Sequence, residues 1–253
     1  MPEGDSASAR GPAGGETLAS WRRLLRTLSN LASSRGEAPV WHSRSLEMRN
    51  RSRMAVALAI AAAILFAWLA RAVASGETAG FDLAVRTMLH AAASPVLTFA
   101  MQAVTQLGST WFVVAVGGLL VWRLAALGQS RSVWLFVTIV AGGEICDQLL
   151  KLLFQRPRPE AFFGLPEPSS YSFPSGHSVA SCCFYGALAT LLAARVRTPL
   201  AKGSVWLATA LIVVLVGLSR VYLGVHHATD VIGGYLAGIA WQAGVRAVAA
   251  RKG

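Results

Sequence analysis

Lys151, Arg158, His177, Arg220, His226 and Asp230 are the residues whose chemistry needs explaining, because they fall in three short clusters at the edges of long apolar blocks. In the first cluster Lys151 precedes Arg156-Pro157-Arg158-Pro159. A Lys in a last helical turn complements the helix dipole and can snorkel to headgroup level, and the prolines end the helix. The second cluster, Ser172-Phe173-Pro174-Ser175-Gly176-His177, opens a new apolar block. Ser175 fits an N-cap, Gly176 lets a ligand approach the backbone, and unpaired N–H groups at a helix start bind anions. In the third cluster, Ser219-Arg220 is followed by His226, His227 and Asp230. His226 and Asp230 are four apart, so on a helix the carboxylate shares a face with the imidazole and can accept its Nδ1 proton. Each cluster alone has an ordinary structural reading: a basic helix end, a capped helix with a solvated His, a structural His–Asp hydrogen bond. Together they describe phosphoryl transfer, in which charge on the equatorial oxygens must be met by preorganised donors.

The elements that must position these residues are membrane helices. Of the 253 residues, 54% are hydrophobic and 14% charged, and the apolar residues gather into blocks instead of recurring at helical or strand period. A bilayer core about 30 Å thick needs roughly 20 helical residues. Six blocks come near that length, at residues 54–75, 108–126, 132–154, 177–194, 204–222 and 227–247. The expected fold class is all-α, an integral membrane bundle of six transmembrane helices with a basic N-terminal tail. Residues 80–107 contain Asp82, Arg86, His90 and Pro95, and read as an interfacial helix pair, with a seventh crossing as the alternative.

The division is residues 1–53, a cytosolic and largely disordered basic tail, and residues 54–253, the membrane domain. The tail has no apolar run suited to a secretory signal. Within it Leu18, Trp21, Leu25, Leu28 and Leu31 recur at helical spacing among Arg22, Arg23 and Arg26, a pattern that also fits a membrane-surface helix. Cys146, Cys182 and Cys183 lie inside apolar blocks and read as small buried hydrophobes. The +11 charge balance does not point to nucleic acid, because the basic residues are dispersed among spans.

Lys and Arg in short loops are retained on the cytoplasmic side. With a cytoplasmic tail and six spans, 17 of the 23 Lys and Arg fall inside, and both termini are cytoplasmic. Lys151, Arg156, Arg158 and Arg220 fall outside, against the rule, and so need a chemical reason. The same topology brings the ends of spans three and five and the starts of spans four and six to the outer face, where every cluster lies.

The spacing of Lys151 and Arg158-Pro159, then Pro174-Ser175-Gly176-His177, then Ser219-Arg220, His226 and Asp230, resembles the three-part signature of the type 2 phosphatidic acid phosphatase superfamily over roughly residues 54–247. The resemblance implies metal-independent hydrolysis without a cofactor. His226 would be the nucleophile, Asp230 would orient it, and His177 would protonate the leaving oxygen and then activate water. Lys151, Arg158, Ser175, Gly176 and Arg220 would hold the phosphate. The sequence departs from a common form of the pattern at His227-Ala228-Thr229, where an aromatic residue followed by Pro-Ser is usual.

The expected function is a lipid phosphate or lipid pyrophosphate phosphatase at the extracytoplasmic face of a cell membrane, bacterial inner membrane being the expected setting. Phosphatidic acid, phosphatidylglycerophosphate and undecaprenyl pyrophosphate all suit a site at the outer ends of apolar helices, and the partners are the lipid substrate and the bilayer. The alternatives are a phosphotransferase to a lipid or sugar acceptor and a non-catalytic phosphate-lipid binder or transporter. Asp147, four residues before Lys151, is expected to pair with it, and Phe154, Phe162, Phe163, Tyr171 and Phe173 are expected to form the lip of the site.

Overall fold

The computed structural model describes residues 40–164 and 169–251, with backbone only for 40–49 and 51. The amphipathic pattern of Leu18 to Leu31 and residues 1–39 of the 1–53 tail lie outside the described residues, while residues 40–53 form the start of a helix. Eight helices follow one another: α1 (Val40–Ala74), α2 (Ala79–Ala91), α3 (Pro95–Gln106), α4 (Thr110–Ala126), α5 (Ser130–Phe154), α6 (Gly176–Ala193), α7 (Pro199–Tyr222) and α8 (Ala228–Arg251). No strand occurs among the described residues.

Local chemistry sets several of these limits. Ser94, Ser109 and Thr198 cap α3, α4 and α7, their side chains accepting from the N–H of Leu97, Phe112 and Ala201. Pro95 and Pro199 stand in the first turns of α3 and α7, where a missing N–H costs nothing. Gln155, in the left-handed region at φ 45°, ends α5 just before Pro157.

The protein is a multi-pass membrane protein. Residues Ser52–Ala74 of α1, together with α5, α6 and α7, are each long and apolar enough to cross a bilayer. A fifth crossing is reached if α3 and α4, bent by 45°, are taken as one span. The expected span 108–126 therefore does not stand alone: α4 has 17 residues and qualifies only together with α3. The expected span 227–247 coincides with α8, which has 24 residues but does not reach the same apolarity. Its inner face is built from Thr229, Asp230, Gly233, Gly234, Gly238 and Gln242, all buried, and hydropathy counts these against it. The segment 80–107 does form two helices, α2 and α3.

Helix α6 is central, packed by α5, α7 and α8. Without a hydrophobic drive between helices in lipid, close approach depends on small residues. A Cβ at Gly234 would stand 2.6 Å from that of Ser178, and one at Gly238 would stand 2.9 Å from that of Cys182, so these two glycines let α8 lie against α6. Phe136, Ile139, Val179, Cys183 and Phe184 fill the core between α5 and α6. Cys182 and Cys183 are buried free thiols and Cys146 is half-buried, as small apolar fillers would be. Large apolar side chains such as Trp111, Leu153 and Leu200 point outward, where lipid would meet them.

Candidate active site

The clusters meet at one end of the bundle, around a cavity of about 190 Å³. Lys151, from the last turn of α5, is buried, and its Nζ donates to Asp147 Oδ2 at 2.5 Å. The expected Asp147–Lys151 pair is therefore present, one helical turn apart. Gly176, at the start of α6, lies against it: a Cβ there would stand 2.8 Å from Lys151 Nζ and 2.9 Å from Asp147 Oδ2. Lys151, Arg158, Gly176, His177, Arg220 and His226 all line the cavity.

Past α5 the chain runs extended through Arg156-Pro157-Arg158-Pro159 and is stapled to the segment before α6. Ser172 N donates to Arg156 O at 2.9 Å and Ser172 Oγ to Pro157 O at 3.0 Å. This staple holds Arg158 over the third cluster. Its Nη1 lies 2.9 Å from His226 Nε2 and donates to Val225 O at 2.8 Å; Nε donates to Ser170 O at 2.6 Å.

His226 sits in the turn between α7 and α8, fully buried. Its Nδ1 lies 3.3 Å from Asp230 Oδ2. A guanidinium can only donate, so Nε2 is the acceptor and the ring proton belongs on Nδ1, pointing at the carboxylate. Nε2 thus carries the ring's lone pair, which accepts from Arg158 Nη1. Burial pulls the His226 imidazole down to about 4, against the opposing pull of Asp230. His227 is also lowered, chiefly by burial and then by Arg156; its N–H donates to Asp230 Oδ2 at 2.8 Å, and it is not among the cavity-lining residues. Arg220, in the last turn of α7, donates from Nη1 to Thr105 Oγ1 at 2.9 Å, while its buried Nε has no hydrogen-bond partner among the described residues.

Two of the expected site residues stand elsewhere than the cavity wall. Asp230 lies behind His226, and Ser175 occupies the N-cap position of α6 without a side-chain cap hydrogen bond. Ser175 Oγ is buried and has no partner among the described residues, and its backbone N–H donates to Asp230 O at 2.9 Å. The expected aromatic lip is not formed as such. Phe173 is fully buried, stacked on Phe66 with Phe154 edge-on to both, because Gly233 leaves room for its ring. Phe162 is held between the Arg86 guanidinium and the His90 ring, and Phe163 stacks on Tyr222.

Sequence reasoning missed the partners of Arg156. Its Nη1 donates to Asp230 Oδ1 at 2.6 Å and its Nη2 to Asp82 Oδ2 at 2.8 Å. Arg156 had one signal, its position against the charge rule; Asp82 had only its place as a carboxylate in an apolar stretch. The Glu144 carboxylate, also on the cavity wall, accepts from Gln148 Nε2 at 2.9 Å.

Residues 132–253 match the PAP2 superfamily. The chain is 34% identical over 180 residues to phosphatidylglycerophosphatase B of Bacillus subtilis (strain 168), covering 70% of this chain and 87% of that protein. It is 36% identical over 117 residues to lipid A 1-phosphatase of Rhizobium johnstonii, covering 43% of each chain. The crystal structure of a transmembrane PAP2-type phosphatidylglycerolphosphate phosphatase from Bacillus subtilis superposes with a TM-score of 0.68 at 30% identity, covering 74% of this chain and 94% of that one. With a relative of this identity matched over most of its length, and a fold shared over nearly all of a solved one, this chain belongs to the PAP2 superfamily.

Proposed function

We propose that this PAP2 phosphatase removes the terminal phosphate from a lipid phosphate or lipid pyrophosphate through a phosphohistidine on His226, at the extracytoplasmic face of the membrane. The observation that carries the chemistry is that His226, whose Nε2 lies 2.9 Å from Arg158 Nη1, lines one cavity with His177, Lys151, Arg158 and Arg220. As the phosphate oxygens take over Arg158 Nη1 from Nε2, the freed lone pair attacks phosphorus while the bond from phosphorus to the lipid oxygen breaks, and His177 gives that oxygen its proton. His177 then takes a proton from water, whose oxygen attacks phosphorus and releases Nε2. Asp230 keeps the Nδ1 proton in place and stabilises the ring as it becomes cationic. Arg158, already at Nε2, Lys151, and Arg220 with its unused Nε would meet the equatorial oxygens, so the charge stabilisation comes from side chains and the reading needs no metal.

A lipid substrate is supported by the cavity's surroundings. Thr110, Glu144 and Ala180 line both the polar cavity and an apolar groove of about 500 Å³ that runs between α4 and α5 along Val114, Gly118, Val121, Val137 and Val140. A second apolar groove, between α1, α5 and α8, shares no wall with the cavity. A tail in the first groove would leave its phosphate among the cations. Phosphatidylglycerophosphate, undecaprenyl pyrophosphate and phosphatidic acid all fit this description, and the names of the two relatives support a lipid phosphate.

The topology proposed with this function has six crossings, with α8 the sixth, residues 1–53 and the C-terminus in the cytoplasm, and residues 54–253 as the membrane domain. Purified protein in detergent is expected to release phosphate from such lipids in the presence of a chelator, and vanadate is expected to inhibit it. His226→Ala is expected to fold and be inactive, and turnover by that variant would refute the assigned nucleophile.

A further inference from the structure

Asp82 lies in α2, outside all three motifs, and is 1% exposed. Its carboxylate is fully engaged. Oδ1 accepts from Thr229 N at 2.9 Å; Oδ2 accepts from Thr229 Oγ1 at 2.7 Å, from Arg156 Nη2 at 2.8 Å and from Thr78 Oγ1 at 3.2 Å. The other arm of the Arg156 fork donates to Asp230 Oδ1 at 2.6 Å and to Thr229 Oγ1 at 2.9 Å. Asp230 therefore has one oxygen on Arg156 and the other on His226 Nδ1 and His227 N. Asp82, the partly buried Arg156, and Asp230 form a chain of alternating charge that ends on the neutral His226 imidazole.

A carboxylate that orients a nucleophilic ring has two requirements: its rotation must be fixed, and its charge must stay available as the ring becomes cationic. Arg156 contributes to the first through one charge-assisted hydrogen bond from Nη1 to Oδ1, opposite the contacts that hold Oδ2. Unbalanced, the same guanidinium would compete with the ring for the Asp230 charge. Asp82 takes the second arm of the fork and offsets that charge, so the pair adds orientation to Asp230 with little net field. Burial strengthens each of these couplings relative to water.

We propose that Asp82 and Arg156 are positioning residues for the nucleophile, acting through Asp230, and that α2 thereby belongs to the catalytic apparatus. This inference rests on His226 as the nucleophile, and the experiment separates the two. Asp82→Asn keeps the shape and the acceptor for Thr229 N, but removes the charge and the acceptor that Arg156 Nη2 uses. In phosphate release from a lipid phosphate in detergent, Asp82→Asn is expected to lower kcat about tenfold while leaving KM within about twofold. In an Asp230→Asn background the same change is expected to cost little further kcat, since the residue through which it acts is already altered. Thr229→Val, which removes only the bridging hydroxyl, is expected to give a smaller loss of kcat that disappears in the same background, and serves if Asp82→Asn does not fold. Wild-type kcat, a loss confined to KM, or an equal loss in both backgrounds would overturn the proposal and leave Asp82 a docking contact of α2. Turnover by His226→Ala would instead overturn the nucleophile on which it rests.

Discussion

The pairing of His226 and Asp230 was readable from their short separation, although His226 lies in the turn before α8 and Asp230 in its first turn. The carboxylate reaches back to the imidazole and to His227 N without the two sharing a helical face. Their protonation depends on burial. The imidazole sits near 4 in the fold, below its ordinary 6.5, so it stays neutral through mildly acid pH. Between about 6.5 and about 4 the unfolded chain takes up a proton that the folded chain does not. Stability contributed by the neutral ring is thus complete above 6.5 and is lost as pH falls toward 4. The thermal midpoint in detergent is expected to fall more steeply over that window for the wild type than for His226→Gln. Equal slopes would mean that the ring titrates alike in both states. Arg156 was visible as a misplaced charge, but its role was not, because Asp82 lies 74 positions away.

At the level of elements, helix ends were legible and their meeting was not. Ser175-Gly176 marks the start of α6, yet the need for glycine comes from α5, whose Lys151 and Asp147 occupy the space a Cβ would take. Ala is the better helix former, so Gly176→Ala should fold. Its methyl is expected to displace the Lys151 ammonium, lowering kcat/KM by roughly tenfold and weakening vanadate inhibition. Wild-type values for both would remove Lys151 from the phosphate grip. The 45° bend between α3 and α4 and the polar inner face of α8 were hidden from hydropathy, which averages a helix over both faces.

For the molecule as a whole, the groove between α4 and α5 shares Thr110, Glu144 and Ala180 with the polar cavity. A tail moving from bilayer to groove gains little hydrophobic free energy, since both are apolar. The groove would act by guiding the phosphate into position. Gly118 lines it, and a Cβ there meets nothing within 4 Å, so a larger side chain can be accommodated. Gly118→Phe is expected to cut kcat/KM for a long-chain lipid phosphate by roughly tenfold while sparing a short, water-soluble phosphate ester. Equal effects on the two substrates would argue that the tail lies elsewhere.

The helical membrane class, the family signature and the residue types at the site were legible in the chain alone, because apolar block length and short-range spacing are properties of contiguous residues. That Asp82 reaches Arg156, that Ser175 N–H meets Asp230 O, that Phe173 packs inward and that an apolar groove shares lining residues with the polar cavity emerged from the packing of the helices. Each of these depends on which helix faces which, and packing between distant segments is set by the fit of their surfaces, which no local pattern records.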